Sequence, residues 1–224
     1  MLFRSTIVSS DAFAQEKLKT MRAFGADVVI IPSQGGAITG DLIAAMRARA
    51  LELAAGEDVY FTDQFNNRDA EEGYLTLGRE IVQQLPGVAH AFCAGVGTAG
   101  MLIGTAAGIR ETHPGCRVVA LEPASSPMLT CGSSGKHRIE GTGVGIVPPL
   151  LLPDSYDEAR TVDESRARAK ARELASKAGV LAGTSSGMNV AAALDLAAEL
   201  GPGHNVVTAV VDSGLKYLSG DLFG

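Results

Sequence analysis

Apolar positions along the chain follow two alternating rhythms. Short apolar runs read as strands: FRSTIVS (3–9), ADVVII (26–31), DVYFT (58–62), VAHAFCA (88–94), CRVVALE (116–122), GVLA (179–182) and NVVTAVV (205–211). Between most of them the apolar residues recur every three to four positions, the period of an amphipathic helix. This predicts helices over 12–24, 41–56, 71–85, 102–111, 164–177 and 188–200. Ser10 or Asp11 is the expected cap of the first helix, and Gly25 its stop. Strands separated by helices of this length imply parallel pairing with right-handed crossovers, hence an α/β fold in three layers.

One stretch breaks the rhythm. Residues 122–154, EPASSPMLTCGSSGKHRIEGTGVGIVPPLLLPD, are rich in Gly, Ser and Pro and read mostly as loop. A loop of that length in a compact domain usually carries function. The helix ESRARAKARELASK interleaves alanine with basic residues, but no aromatic side chain accompanies them, so it reads as a solvated face.

Composition narrows the field. Hydrophobic residues make up 46% and charged residues 20% of the 224, an ordinary globular balance. A formal charge of −6 opposes nucleic acid and anionic membranes, yet leaves room for a small anion bound by backbone N–H groups. Cys93, Cys116 and Cys131 are too few and too scattered for a disulfide framework or zinc site, which points to a reducing, cytoplasmic setting. No segment has the length and apolarity of a signal peptide or a membrane span.

Three glycine-rich loops carry the candidate chemistry. GVGTAG, Gly95 to Gly100, lies between an apolar strand and a helix and matches G-x-G-x-x-G. That arrangement suits a phosphate, because glycines let the backbone approach and the helix start offers oriented N–H donors. A dinucleotide is one reading, with Glu122 about twenty residues on as the ribose acid; tight packing without a ligand is another. GTSSG, Gly183 to Gly187, matches G-x-S-x-G with Ser185 as nucleophile. Its hydrolase reading lacks a suitable acid–histidine sequel, since His204 is the only later histidine. Serines at a helix start also serve as caps or ligand donors. The glycines of GKHRIEGTGVGIVP, 135–148, suggest backbone packed against a ligand or a neighbouring loop, and its lone His137 reads either as catalytic or, more commonly for a loop histidine, as a structural hydrogen-bond donor. No histidine stands at metal-ligand spacing from it, so no metal is expected.

Taken in order, these segments resemble cysteine synthase (O-acetylserine sulfhydrylase) and its cystathionine β-synthase relatives, pyridoxal-phosphate enzymes of the tryptophan-synthase β-subunit fold. KLKTMRAFGADVVIIP (17–32), DQFNNRDAEEGY (63–74), GVGTAG, VVALEPASSP (118–127), GKHRIEGTGVGIVP, GVLAGTSSGMNVAAAL (179–194) and VDSGLKYLSGDLF (211–223) carry the resemblance almost end to end. It implies β-replacement on an activated serine through an aminoacrylate, making cysteine or a related amino acid. It also implies that Gly95, Val96, Gly97, Thr98, Ala99 and Gly100 hold the cofactor phosphate and that Ser185 meets the pyridine nitrogen. Gln64, Gly141, Thr142 and Gly143 would then line the amino-acid substrate.

The sequence departs from the family's pattern at Met101, Ala99 and Asn67, where a threonine, a glycine and a proline are usual. The family's Schiff-base lysine segment, S-x-K-D-R, and its T-S-G-N-T-G loop have no counterpart. The resemblance therefore implies an N-terminally truncated member: 1–68 as the remnant of a small substrate domain and 69–224 as the large cofactor domain. Such a chain is expected to form a homodimer, to pair with a missing N-terminal half, or to self-associate through uncovered strand edges. A non-catalytic module that keeps the phosphate loop, and a nicotinamide-dinucleotide enzyme, are the alternative functions.

Overall fold

The computed structural model describes residues 4–224. Two parallel sheets organise the chain. The smaller pairs β1 (Thr6–Ser10) with β2 (Asp27–Ile31) in register, Thr6 against Asp27 through Ser10 against Ile31. Between them runs α1 (Gln15–Ala23), and α2 (Gly40–Ala54) follows β2. After α3 (Asp69–Gln84), the larger sheet collects β3 (Ala89–Gly95), β4 (Arg117–Pro123), β5 (Glu158–Val162) and β6 (Asn205–Thr208) in the order β5-β4-β3-β6, all parallel. Helix α4 (Gly100–Arg110) leads from β3 to β4, and the four-residue α5 (Met128–Cys131) follows β4. Helices α6 (Glu164–Ala178) and α7 (Thr184–Leu200) lie between β5 and β6.

Side-chain alternation on the central strands builds the three layers. Val118 and Ala120 join Leu102, Ala106 and Ile109 of α4 in one core. Their neighbours Val119 and Leu121 join Met188, Ala191 and Leu196 of α7 in the other. Burying side chains such as Leu102, Leu121 and Leu196, all at 0% exposure, contributes about 1.5–3 kcal/mol each relative to leaving them in water. Helix α3 lies on α4 with the backbones nearly touching. A Cβ on Gly108 would stand 2.3 Å from the Leu75 carbonyl oxygen, and one on Gly78 2.2 Å from that of Thr105.

Several local expectations are corrected. Residues 58–62 form no strand: Asp58 (φ +62°) and Asp63 (φ +33°) turn the chain at either side, and Val59 and Tyr60 stay exposed. Over 179–182, Gly179 (φ +68°) caps α6, and only Ala182 makes a bridge, antiparallel to Ser213. Strand β5, EARTV, was not anticipated, because Glu158 and Arg160 hide it in polar sequence. Neither Ser10 nor Asp11 caps α1. Asp11 instead accepts the Ser33 N–H at 2.6 Å, and α1 begins at Gln15, after Ala14 donates its N–H to Glu140 at 3.0 Å. Part of the first strand read from the sequence, Phe3, lies outside the described residues.

Candidate active site

The C-terminal end of β3 runs directly into the Gly95–Gly100 loop. Val96 donates its N–H to Leu121 O (2.9 Å), which keeps the loop level with the end of β4. Ala99 then takes a left-handed turn (φ +75°) as the N-cap of α4 and offers no side-chain cap. Among the described residues, the N–H groups of Gly97 through Leu102 find no protein acceptor. A bend that leaves a row of N–H groups unpaired at the positive end of an eleven-residue helix is a donor set for a phosphate dianion.

Two segments close around that loop. On one side, Gly143 donates its N–H to Val96 O (3.0 Å), and the Gly141 carbonyl oxygen stands 2.3 Å from where a Cβ on Gly97 would be. On the other side, Asn189 of α7 accepts the Gly95 N–H through Oδ1 (2.8 Å) and donates Nδ2–H to Ala209 O (2.9 Å). Ser185 sits one turn before Asn189, 7% exposed, and its hydroxyl bonds to no other described residue. Ser186 differs: its Oγ accepts the Val211 N–H at 3.0 Å. The neighbouring Thr184 Oγ1 is buried without a partner. The fold thus brings 95–100, 141–143 and the start of α7 into contact. Gln64 is exposed and makes no such contact; the chain past it packs Ala70 against Gly100 at the start of α3.

Other candidates have structural duties. Glu122 is 2% exposed and accepts the N–H groups of Leu129 (2.7 Å) and Thr130 (2.9 Å) and the Thr130 hydroxyl (2.7 Å). It is spent on α5 and unavailable to a ribose, which removes the dinucleotide reading. His204 stacks edge-on against His90 with ring centroids 4.5 Å apart, at the strand ends opposite Ser185, so no hydrolase triad forms. His137 is 2% exposed, and burial lowers its pKa below the ordinary histidine value. Cys93 and Cys116 are buried, which pushes each thiol up to about 11. No grouping of three or more His, Cys, Asp or Glu that could hold a metal ion occurs among the described residues. No helix among them is long and apolar enough to cross a membrane.

Sequence reasoning missed Asn189 and the ion cluster at α1. Lys17 donates to Glu140 (2.8 Å) and to the Tyr217 hydroxyl (2.7 Å) and lies 3.0 Å from Asp212, while Tyr217 donates to Asp212 (2.7 Å). Burial and these two carboxylates raise the phenol's pKa. Lys17 is thereby held between α1, the glycine-rich segment and the C-terminal turn. None of the six lysines makes a hydrogen bond or ion pair with residues 95–100, 141–143 or 185–189.

A loop of free N–H groups at the C-terminal end of a parallel strand, backed by a serine-bearing helix start, defines an α/β protein built to hold a phosphorylated ligand. The match to known proteins is more specific. The family described as pyridoxal-phosphate dependent enzyme matches residues 2–212, and the chain belongs to it. Cysteine synthase of Staphylococcus aureus (strain Mu50 / ATCC 700699) is 34% identical over 223 residues, 99% of this chain and 70% of that protein. A probable cysteine synthase of Bacillus subtilis (strain 168) is 33% identical over 226 residues, covering 99% of this chain and 71% of its own length. Among solved structures, the O-acetylserine dependent cystathionine beta-synthase from Helicobacter pylori superposes with a TM-score of 0.88 at 32% identity. That superposition covers 100% of this chain and 79% of the other.

The residues present fit the cofactor that the family's description names. The unpaired N–H groups at 97–102 match its phosphate, and Ser185 offers a hydroxyl without a protein partner.

Proposed function

We propose that the chain carries the cofactor-phosphate half of a cysteine-synthase-type site, acting in β-replacement on an activated serine such as O-acetylserine. The carrying observation is the row of unpaired N–H groups at 97–102, tied through Gly95 and Asn189 to the helix start that bears Ser185. Bound pyridoxal phosphate supplies an electron sink for charge developing at the substrate's α-carbon. The protein's part is to hold and tune it. Gly95 to Gly100, with the Thr98 hydroxyl, take the phosphate; Met101 adds no hydroxyl. Ser185 presents a neutral hydroxyl to the pyridine nitrogen, which leaves the ring less electron-withdrawing than a carboxylate would and suits elimination over other outcomes. Gly141, Thr142 and Gly143 wall the substrate side, and the exposed Gln64 stands outside that wall.

On this reading, 1–68 belongs to a smaller substrate unit and 69–224 to the cofactor unit. None of the lysines hydrogen-bonds or ion-pairs with the phosphate loop, so this reading gives them no part in securing the cofactor, and the chain is expected to work as a homodimer. The buried, unpaired thiols suit a cytoplasmic setting.

Calorimetric titration with pyridoxal phosphate, beside an assay for cysteine from O-acetylserine and sulfide, tests the reading. Cofactor binding that Gly97→Ala weakens is the expected result. A chain that binds neither pyridoxal phosphate nor inorganic phosphate would sink it.

A further inference from the structure

His137 lies in the glycine-rich segment but faces inward. Its Nδ1 accepts the Ile139 N–H at 3.3 Å and must therefore be unprotonated, which puts the ring proton on Nε2, 2.9 Å from the Gly143 carbonyl oxygen it donates to. One neutral imidazole thus spans the loop, joining its first residues to its last. Thr142 tightens the same loop by donating its hydroxyl to Ile139 O (3.0 Å).

Both outer sides of this loop carry neighbours. Toward the phosphate loop, Gly143 holds Val96 (3.0 Å) and the Gly141 carbonyl fills the space beside Gly97. Toward the small sheet, Ile38 donates its N–H to His137 O (3.3 Å), and a Cβ on Gly145 would stand 2.5 Å from the Gly40 Cα at the start of α2. Gly143 also has φ +59°, and a Cβ there would stand 2.7 Å from His137 Nε2, so the glycine is the seat of the ring.

We propose that His137 is a positioning residue for the phosphate loop: its imidazole braces residues 139–143 so that Gly141 and Gly143 wall Val96 and Gly97, while its backbone ties the same wall to α2. The assignment rests on the proposed phosphate site and adds to it a residue that touches no ligand. Phenylalanine would fill the space and meet neither polar partner. Glutamine can still donate to Gly143 O.

The test compares the full chain with His137→Phe, His137→Gln and Val118→Ala, the last a core control on β4 that makes no hydrogen bond to residues 137–143. Hydrogen exchange at the Gly143 amide, read by NMR, reports the brace without any ligand. Titrations with inorganic phosphate and with pyridoxal phosphate report the wall. In His137→Phe, Gly143 protection is expected to fall about a hundredfold and both affinities about tenfold, the scale of losing one or two buried hydrogen bonds. His137→Gln should recover most of the affinity, and Val118→Ala should lower the unfolding midpoint and leave affinity intact. Unchanged Gly143 exchange in His137→Phe, unchanged affinity, or equal affinity loss in Val118→Ala would overturn the proposal. A wild-type chain that binds neither ligand overturns the phosphate reading instead, and the exchange measurement still decides the brace.

Discussion

Asn189 is the sharpest place to perturb the site. Its amide is 1% exposed and answers two backbone groups at once, the Gly95 N–H through Oδ1 at 2.8 Å and the Ala209 carbonyl through Nδ2 at 2.9 Å. Asn189→Ala strips both partners and opens a small void beside Met188 and Gly95. A buried backbone group left unpaired costs about 1–3 kcal/mol, and the partly buried Gly95 N–H sits at the lower end because water can reach it. The expected loss is about 2–4 kcal/mol, or roughly one and a half to three decades in the unfolding constant. Asn189→Leu refills the volume with the same groups unpaired, so it should recover only the packing part. Asn189→Asp keeps an acceptor for Gly95 but sets a second oxygen against Ala209 O; protonation makes that oxygen a donor, so its deficit should shrink as the pH falls from about 7 to about 5. The chain has no tryptophan, so urea unfolding is best followed by far-ultraviolet circular dichroism. Asn189→Ala within about 0.5 kcal/mol of wild type would refute the argument, as would Asn189→Leu matching wild type, because each would mean the two hydrogen bonds carry no net stability.

Gly108→Ala should destabilise by about 3 kcal/mol in the same assay, since its Cβ would lie 2.3 Å from Leu75 O and force α3 off α4; an exposed-helix effect would instead be mildly stabilising. Ellman's reagent under native conditions should label one thiol quickly, the exposed Cys131, whereas Cys93 and Cys116, buried and pushed up to about 11, should react only after unfolding. His137 is neutral in the fold and its pKa is lowered by burial, with the hydrogen bond to the Gly143 carbonyl and then the Glu164 charge partly opposing the shift. Its contribution is therefore complete above the unfolded-histidine value of about 6.5 and lost as the pH falls through the lower folded value. His137→Gln should remove that part of the acid-side slope, measured as midpoint against pH.

How far the sequence showed the fold depended on which side of each element faces water. Strands β3, β4 and β6 stood out as apolar runs because both faces of the larger sheet are covered there. Strands β5 and β6 are the two edges of that sheet, but β6 (NVVT) is uncharged whereas β5 (EARTV) carries charged side chains. Arg160 pairs there with Glu158 and Glu199, and Arg117 with Glu158, so its pattern read as polar loop. DVYFT had strand composition without a partner strand. The glycine loops were legible because their backbones leave no room for a side chain. Asn189 also left a signal: an amide in an alanine-rich helix with a buried face has poor helix propensity and must find partners. Those partners, Gly95 and Ala209, could not be read from local sequence, because Gly95 lies 94 residues away. The same separation hid Lys17 against Glu140, 123 residues on.

G-x-G-x-x-G followed by an acid at the next strand end is common to two chemistries, and the spacing alone does not separate them. In a dinucleotide fold the middle glycine lets the pyrophosphate approach the backbone, and the acid turns outward to the ribose. Here the space that a Cβ on Gly97 would need is taken by the carbonyl of Gly141, so the glycine serves contact between two loops of the protein. The acid turns inward, and three donors from Leu129 and Thr130 already occupy Glu122. A ribose would have to displace all of them and leave the start of α5 uncapped. What remains open for a ligand is the N–H row at 97–102, which fits one phosphate and needs no acid. The glycine spacing therefore records how closely 139–143 must press on 95–97, and the ligand's identity rests on Ser185 and its helix.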